Sequence, residues 1–184
     1  MSTLDSQTKY VRAVVNFPIS VFISQAAENL SRRGYRFALI KHDRDFKDDG
    51  TLKTPHLHVV LEAQKRARLG TTLIRLCDDF GVKENQVSVQ SYDDFAFEVQ
   101  YLIHKNNPDK TQYPQSEIVS NLSSEDINSL IQQEIAPKLT INDIISVCRE
   151  YHSRVVIAQK LGLANYTTYR NTINDLLKEL HGGF

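Results

Sequence analysis

The sequence predicts an α+β fold. An antiparallel sheet with two helices on one face, the ferredoxin-like split arrangement, spans residues 8–120, and a small all-helical module spans residues 123–184. Three observations predict it. β-Rich apolar segments and helical patterns follow the order strand, helix, strand, strand, helix, strand. Glycines at 34 and 81 stand where the two helical patterns end. From Ser123 onward only helical spacing remains.

The elements follow in order. Val11–Phe17 is short, apolar and β-rich, and it stops at Pro18. Ile19, Phe22, Ile23, Ala26, Ala27 and Leu30 have the spacing of one buried helix face. Tyr35–His42 is the second strand, with Ala38, Ile40 and His42 on one face and Tyr35, Phe37 and Leu39 on the other. A polar loop with the turn signal Asp49-Gly50 leads to Pro55–Leu61, the third strand. A second helix runs over about Ala67–Phe80 with Leu69, Leu73, Leu76 and Phe80 inward, and Val87–Gln90 alternates as a fourth strand. A third helix runs from near Asp93 to about Lys105, and Glu117–Ser120 adds a thin edge strand. Ser123 with Asp126, and Thr140 with Asp143, carry the capping arrangement that opens helices, and Pro137 interrupts between them. Gly162 turns the chain into a last helix with Tyr169, Ile173, Leu176, Leu177 and Leu180.

Composition narrows the function classes. Hydrophobic residues make up 41% and charged residues 24% of 184, as in an ordinary soluble domain. The start has no signal-peptide pattern and no apolar run could span a bilayer, so a cytoplasmic protein without a membrane partner is expected. Cys77 and Cys148 sit in helical patterns and read as reduced core thiols. The 22 basic and 22 acidic residues cancel, which argues against a nonspecific nucleic-acid coat. The balance is local, however: residues 31–75 hold eleven Lys or Arg against five Asp or Glu.

The third strand carries the chemistry. Strand alternation points His56 and His58 the same way, with Leu57, Val59 and Leu61 turned to the helices. Two imidazoles on one rigid strand can offer two nitrogens to one metal ion. The second strand ends in His42, followed by Asp43 and Asp45, and an antiparallel connection would set His42 near His56. Imidazoles plus a carboxylate, with positions left open, suit a divalent ion such as Mn2+ or Mg2+. Cations nearby in the sequence, among them Arg44, Lys47, Lys53, Lys65, Arg66 and Arg68, hint at a phosphate-bearing substrate. On the third helix Phe95, Val99, Leu102 and Ile103 form the apolar face, and Tyr101 lies off it with His104 and Lys105 within one turn. A phenol beside a cation and facing a metal can attack a phosphate. Tyr92 and Tyr113 are weaker candidates.

Three segments in this order, His42-Asp-Arg-Asp45, Pro55-His-Leu-His58 and Tyr101-Leu-Ile-His-Lys105, resemble the motifs of the HUH endonucleases. They look closest to rolling-circle replication initiators of small bacterial plasmids, in which an origin-binding domain precedes a helical oligomerisation domain. The resemblance implies that His42, Asp45, His56 and His58 hold a divalent metal, with Asp43 a bystander. It implies that Tyr101 attacks a phosphodiester to leave a 3′-hydroxyl and a 5′-phosphotyrosine, later reversed to rejoin the strand. His104 or Lys105 would assist, although relatives place a lysine three residues after the tyrosine, where His104 stands. The implied partners are origin DNA exposed as a single strand, for example in a hairpin loop, further copies of the chain through the C-terminal helices, and a helicase in trans. The C-terminal helices also have helix-turn-helix spacing around Gly162. Two other readings fit the residues: a transposase or relaxase relative with the same chemistry, and a noncatalytic DNA-binding protein with incidental histidines.

Overall fold

The computed structural model describes residues 3–16, 22–134 and 140–181. Phe17, Pro18, Ile19 and Pro137, to which the sequence reading gives a strand end, a helix start and a helix break, lie outside them. The chain divides into two compact units, residues 1–133 and 134–184.

The first unit is a five-stranded antiparallel sheet in the order β4-β1-β3-β2-β5, formed by β1 (Gln7–Asn16), β2 (Arg36–His42), β3 (His56–Arg68), β4 (Val87–Ser91) and β5 (Val119–Ser120). The first four strands, with α1 (Ile23–Arg32) and α2 (Leu69–Phe80), make the split arrangement that the sequence predicts. Strand alternation divides the sheet's side chains between two cores. On one face Val11, Ala13, Val15, Phe37, Leu39, Leu57, Val59 and Leu61 pack under Ala26 and Leu30 of α1 and Leu69, Leu76 and Phe80 of α2. On the other face Ala38, Ile40 and Val60 pack under Phe95, Val99 and Leu102 of α3 (Phe95–Leu102) and Ile127 and Ile131 of α4 (Ser124–Gln132). The His-x-His residues sit on this second face, by strand alternation with Val60.

Gly34 ends α1 as the sequence predicts. Its φ of 73° is left-handed, and a Cβ there would stand 2.9 Å from Gln64 Nε2.

Three boundaries differ from the sequence reading. β3 continues to Arg68, because Ala67 and Arg68 pair with Thr8 and Gln7 beyond a register irregularity that takes in the polar run Gln64-Lys-Arg. α3 stops at Leu102, not Lys105. His104 takes φ 58°, its N–H reaching Tyr101 O at 3.0 Å, and the Lys105 N–H reaches Gln100 O at 3.0 Å. These two bonds form a Schellman closure, with a histidine where glycine usually stands. α4 has the predicted Ser123 cap, with Asp126 N–H donating to Ser123 Oγ at 3.0 Å. Its apolar stripe, however, packs against α3 within the first unit.

The second unit contains α5 (Ile141–Glu150), α6 (Arg154–Leu161) and α7 (Leu163–His181) around Ile144, Cys148, Ile157, Leu161, Ile173 and Leu177. Thr140 and Asp143 cap α5 reciprocally. Cys77 and Cys148 are buried thiols.

Candidate active site

The register of β2 against β3 sets His42 directly opposite His56, and Ile40 opposite His58. Three imidazoles therefore converge at one end of the sheet: the His42 ring lies 4.4 Å from that of His58 and 5.5 Å from that of His56. Donor atoms of these three residues all fall within 4.8 Å of one another, as do those of His42, Asp45 and His104.

Hydrogen bonds settle where the protons are. His56 Nδ1 lies 3.0 Å from Thr54 O and must donate to it, so in the neutral ring Nε2 carries the lone pair. That Nε2 stands 3.1 Å from His58 Nε2. His42 Nε2 lies 2.7 Å from Leu102 O, one of the carbonyls that the end of α3 leaves without a helical partner, and must donate to it. The lone pair of His42 is therefore on Nδ1. This atom is buried, has no hydrogen bond, and faces Asp45 Oδ2 at 3.4 Å.

A proton on Nδ1 would relieve that pairing but needs the imidazolium. Burial pushes the His42 pKa down to about 4, outweighing the Leu102 carbonyl and Asp45, so the ring is neutral at neutral pH. Burial, reinforced by His42, His56, His104 and Lys110 nearby, pushes His58 down to about 2. Two buried acceptors facing each other without a proton are costly. A cation between them removes that cost, so the cluster fits a divalent metal; its donor atoms converge in two groups that share His42, one with His56 and His58 and one with Asp45 and His104. His104 Nδ1 donates to Thr111 O at 2.7 Å and lies 4.0 Å from Asp45, which leaves the lone pair of the neutral ring on Nε2.

Tyr113 builds the outer wall. Its hydroxyl donates to Asp45 Oδ1 at 3.1 Å and accepts from Arg44 N–H at 3.0 Å, and its ring stacks on His42 at 4.3 Å and 9°. That leaves Asp45 Oδ2 turned to His42. With its hydroxyl so held, Tyr113 is a poor nucleophile. Tyr92 is buried and donates to Leu61 O at 3.0 Å, and burial raises its pKa.

Tyr101 is half-buried on α3, its ring 5.7 Å from that of His58. The cation beside it is Lys110, whose Nζ lies 3.2 Å from the phenol oxygen. Lys105 lies elsewhere: its ammonium bonds Ile131 O near the C-terminal end of α4, where positive charge meets the negative end of the helix dipole. Gln100 completes that cap by donating to Leu130 O and Gln133 O at 3.0 and 2.8 Å. His104 is buried against His42 and Tyr113.

The predicted basic residues separate into two groups. Arg44, Lys47 and Lys53 lie in the β2–β3 connection, and Arg44 pairs with Glu117 and Asp43 and covers the Tyr113 ring at 4.7 Å. Lys65, Arg66 and Arg68 do not surround the histidines. They are exposed near the far end of β3, about 23–33 Å along the strand from His58 at ~3.3 Å per residue.

A cleft of about 220 Å³ opens beside His58 and Tyr101, over the part of the sheet formed by β4 and β1. In it the Arg12 guanidinium is held 3.1 Å from Glu98 and 2.8 Å from Gln90. Sequence reasoning singles out neither this trio nor Lys110. Cross-strand register brings the trio together, and Lys110 returns to Tyr101 through a turn closed by its N–H on Asn107 O, which no helical spacing announces.

Residues 7–128 match the profile of a family described as plasmid replication protein, origin binding domain. The chain is 33% identical over 110 residues to a replication protein of Onion yellows phytoplasma (strain OY-M), an alignment covering 54% of this chain and 27% of that protein. The chain thus corresponds to roughly a quarter of that relative's length. The profile covers the histidine cluster and Tyr101 and stops before α5–α7.

Proposed function

The chain belongs to the plasmid replication protein, origin-binding domain family, and from that premise we propose that it starts plasmid replication as a sequence-specific, metal-dependent nickase and strand transferase of the HUH type. The observation that carries this reading is the orphaned Nδ1 of His42 beside Asp45 and two further imidazoles, with the Tyr101 phenol against His58. Buried acceptors grouped with two further imidazoles suit a bound cation better than a purely DNA-binding role.

When bound, a divalent ion supplies Lewis-acid stabilisation of charge on the scissile phosphate. Three imidazoles and one carboxylate are richer in nitrogen than Mg2+ favours, so of Mn2+ and Mg2+ the former is the better match. The chain's own residues do the rest. Tyr101 Oη attacks phosphorus and forms the 5′-phosphotyrosine. The P–O3′ bond breaks, and the 3′-oxygen leaves to become a hydroxyl. The phenolic proton passes to water as the new bond forms, the departing 3′-oxygen takes one up from water, and the Lys110 ammonium beside Oη favours the negative charge on that atom. In the reverse transfer the 3′-hydroxyl attacks phosphorus and Tyr101 leaves, so rejoining needs no outside energy source.

The phosphate must come to a phenol fixed on a helix, so the substrate is a single strand such as an extruded hairpin loop. The cleft beside His58 and Tyr101 receives the nucleotides next to the cut, and Arg44, Lys47 and Lys53 hold the backbone. Strand separation falls to a helicase in trans.

The test is incubation with single-stranded origin oligonucleotides and Mn2+. Wild type should form a denaturation-resistant conjugate and Tyr101→Phe should bind without forming one. A conjugate of equal yield with Tyr101→Phe would refute the assignment.

A further inference from the structure

The nickase reading leaves one end of the sheet unused, the far end of the β1–β3 pair. There Gln7 pairs with Arg68 and Thr8 with Ala67, and the next pair is Tyr10 with Glu62. One residue of β1, Lys9, therefore stands against four of β3, residues 63–66, and the longer side bulges out. The Thr8 hydroxyl braces β1 at this point: it accepts from Tyr10 N–H at 3.0 Å and donates to Tyr10 O at 3.1 Å.

The bulge and its flanks carry Lys9, Lys65, Arg66 and Arg68. All four are exposed, and none pairs with an acid among the described residues. Glu62, at the root of the bulge, is taken by Arg36 at 3.0 Å. These charges do not serve the fold. Arg68 is the N-cap of α2, whose first turn has no acid, so the cations crowd the positive end of the helix dipole. Along β1, Val14 faces His58 and Gln7 faces Arg68. With the slack of the bulge taken out, that register sets Arg68 about 23 Å from His58, at ~3.3 Å per residue.

We propose that this basic bulge is a second DNA contact, which holds the phosphates of a double-stranded arm beside the exposed strand. It rests on the nickase reading only for the position of the cut. A fixed span between cut and anchor suits a duplex, whose phosphates lie on a rod stiff over far more than ~20 Å, whereas a single strand folds to any distance. Ammonium and guanidinium groups with no acid of their own supply the donors that phosphates accept. A second copy of the chain is the poorer occupant, because a symmetric contact would set the four cations against their own counterparts.

The experiment measures binding by the full chain in EDTA, so that cleavage is silent. The probes are a single-stranded origin oligonucleotide and the same strand with a duplex arm of one helical turn on its 5′ or its 3′ side. Wild type should bind one armed probe more tightly than the bare strand. In Lys65→Gln/Arg66→Gln/Arg68→Gln that preference should fall by roughly ten- to a hundred-fold and the salt slope for the armed probe by about two to three, with the bare strand bound as before. Lys9→Gln alone should lower the slope by about one. Conjugate formation on the bare strand with Mn2+ should be unchanged, and the melting temperature kept or raised, because the lost charges oppose a helix dipole. Armed-probe binding as tight as wild type in both variants would overturn the inference. So would a loss of equal size on bare and armed probes. A wild-type chain that forms no conjugate yet shows the predicted difference would sink the nickase reading and leave this one intact.

Discussion

Lys110 Nζ lies 3.2 Å from the phenol oxygen of Tyr101 and 5.0 Å from the centre of its ring. Lys105, nearer in sequence, is spent on the end of α4. The two lysines therefore have separable roles. Lys110→Ala should slow single-turnover formation of the DNA conjugate by roughly ten- to a hundred-fold with the melting temperature unchanged. Lys105→Ala should cost about 1 kcal/mol of stability and leave the rate alone. The reverse pattern would remove Lys110 from the active site.

His58→Ala takes one of the paired Nε2 atoms from the metal set. Mn2+ affinity, measured by calorimetry, should fall by at least about a hundred-fold while the circular dichroism spectrum is kept. Unchanged affinity would mean that the ion, if any, sits elsewhere.

Tyr113→Phe removes the hydroxyl that turns Asp45 Oδ2 toward His42 but keeps the ring that stacks on it. Mn2+ affinity should drop about ten- to a hundred-fold, and saturating Mn2+ should restore conjugate formation. A conjugate that fails at every Mn2+ concentration would give Tyr113 a role in the chemistry itself.

Metal-free protein should lose stability on mild acidification. His42 binds its proton near pH 4 when folded and near 6.5 when unfolded, and His58 is lowered further. Between those values the unfolded chain holds more protons, so unfolding becomes easier as pH falls from about 6.5 toward 4, by about 1.4 kcal/mol per unit for each such group. Denaturant titrations in EDTA across that range should show the decline. Its absence would show that the rings are not shielded from water.

Leu57 is fully buried between the two site histidines on β3, facing the opposite core. Leu57→Ala should cost about 2–5 kcal/mol, read by denaturant titration.

The residues that were readable in sequence are those whose position follows from local periodicity. Alternation puts His56 and His58 on one face and Leu57, Val59 and Leu61 on the other, as found. Helical spacing turns Tyr101 off the apolar face of α3. What was hidden depends on partners distant in the chain. The run Gln64-Lys-Arg has little strand character of its own, and β3 carries on through it because Ala67 and Arg68 beyond it pair with β1. The stripe of α4 states that a core exists but not which one. Lys110 reaches Tyr101 through a turn, and His104 reverses the chain at an angle that glycine usually supplies, held by Thr111 O and by its fit against His42.

The carbonyl that receives the His42 proton belongs to Leu102, the residue next to Tyr101. The strand that carries His42 and the helix that carries Tyr101 are thereby riveted together, and pulling them apart would strand a buried donor and acceptor. In the nickase reading Tyr101 and His42 then move as one body, and the displacements of cutting and resealing fall to the mobile DNA ends.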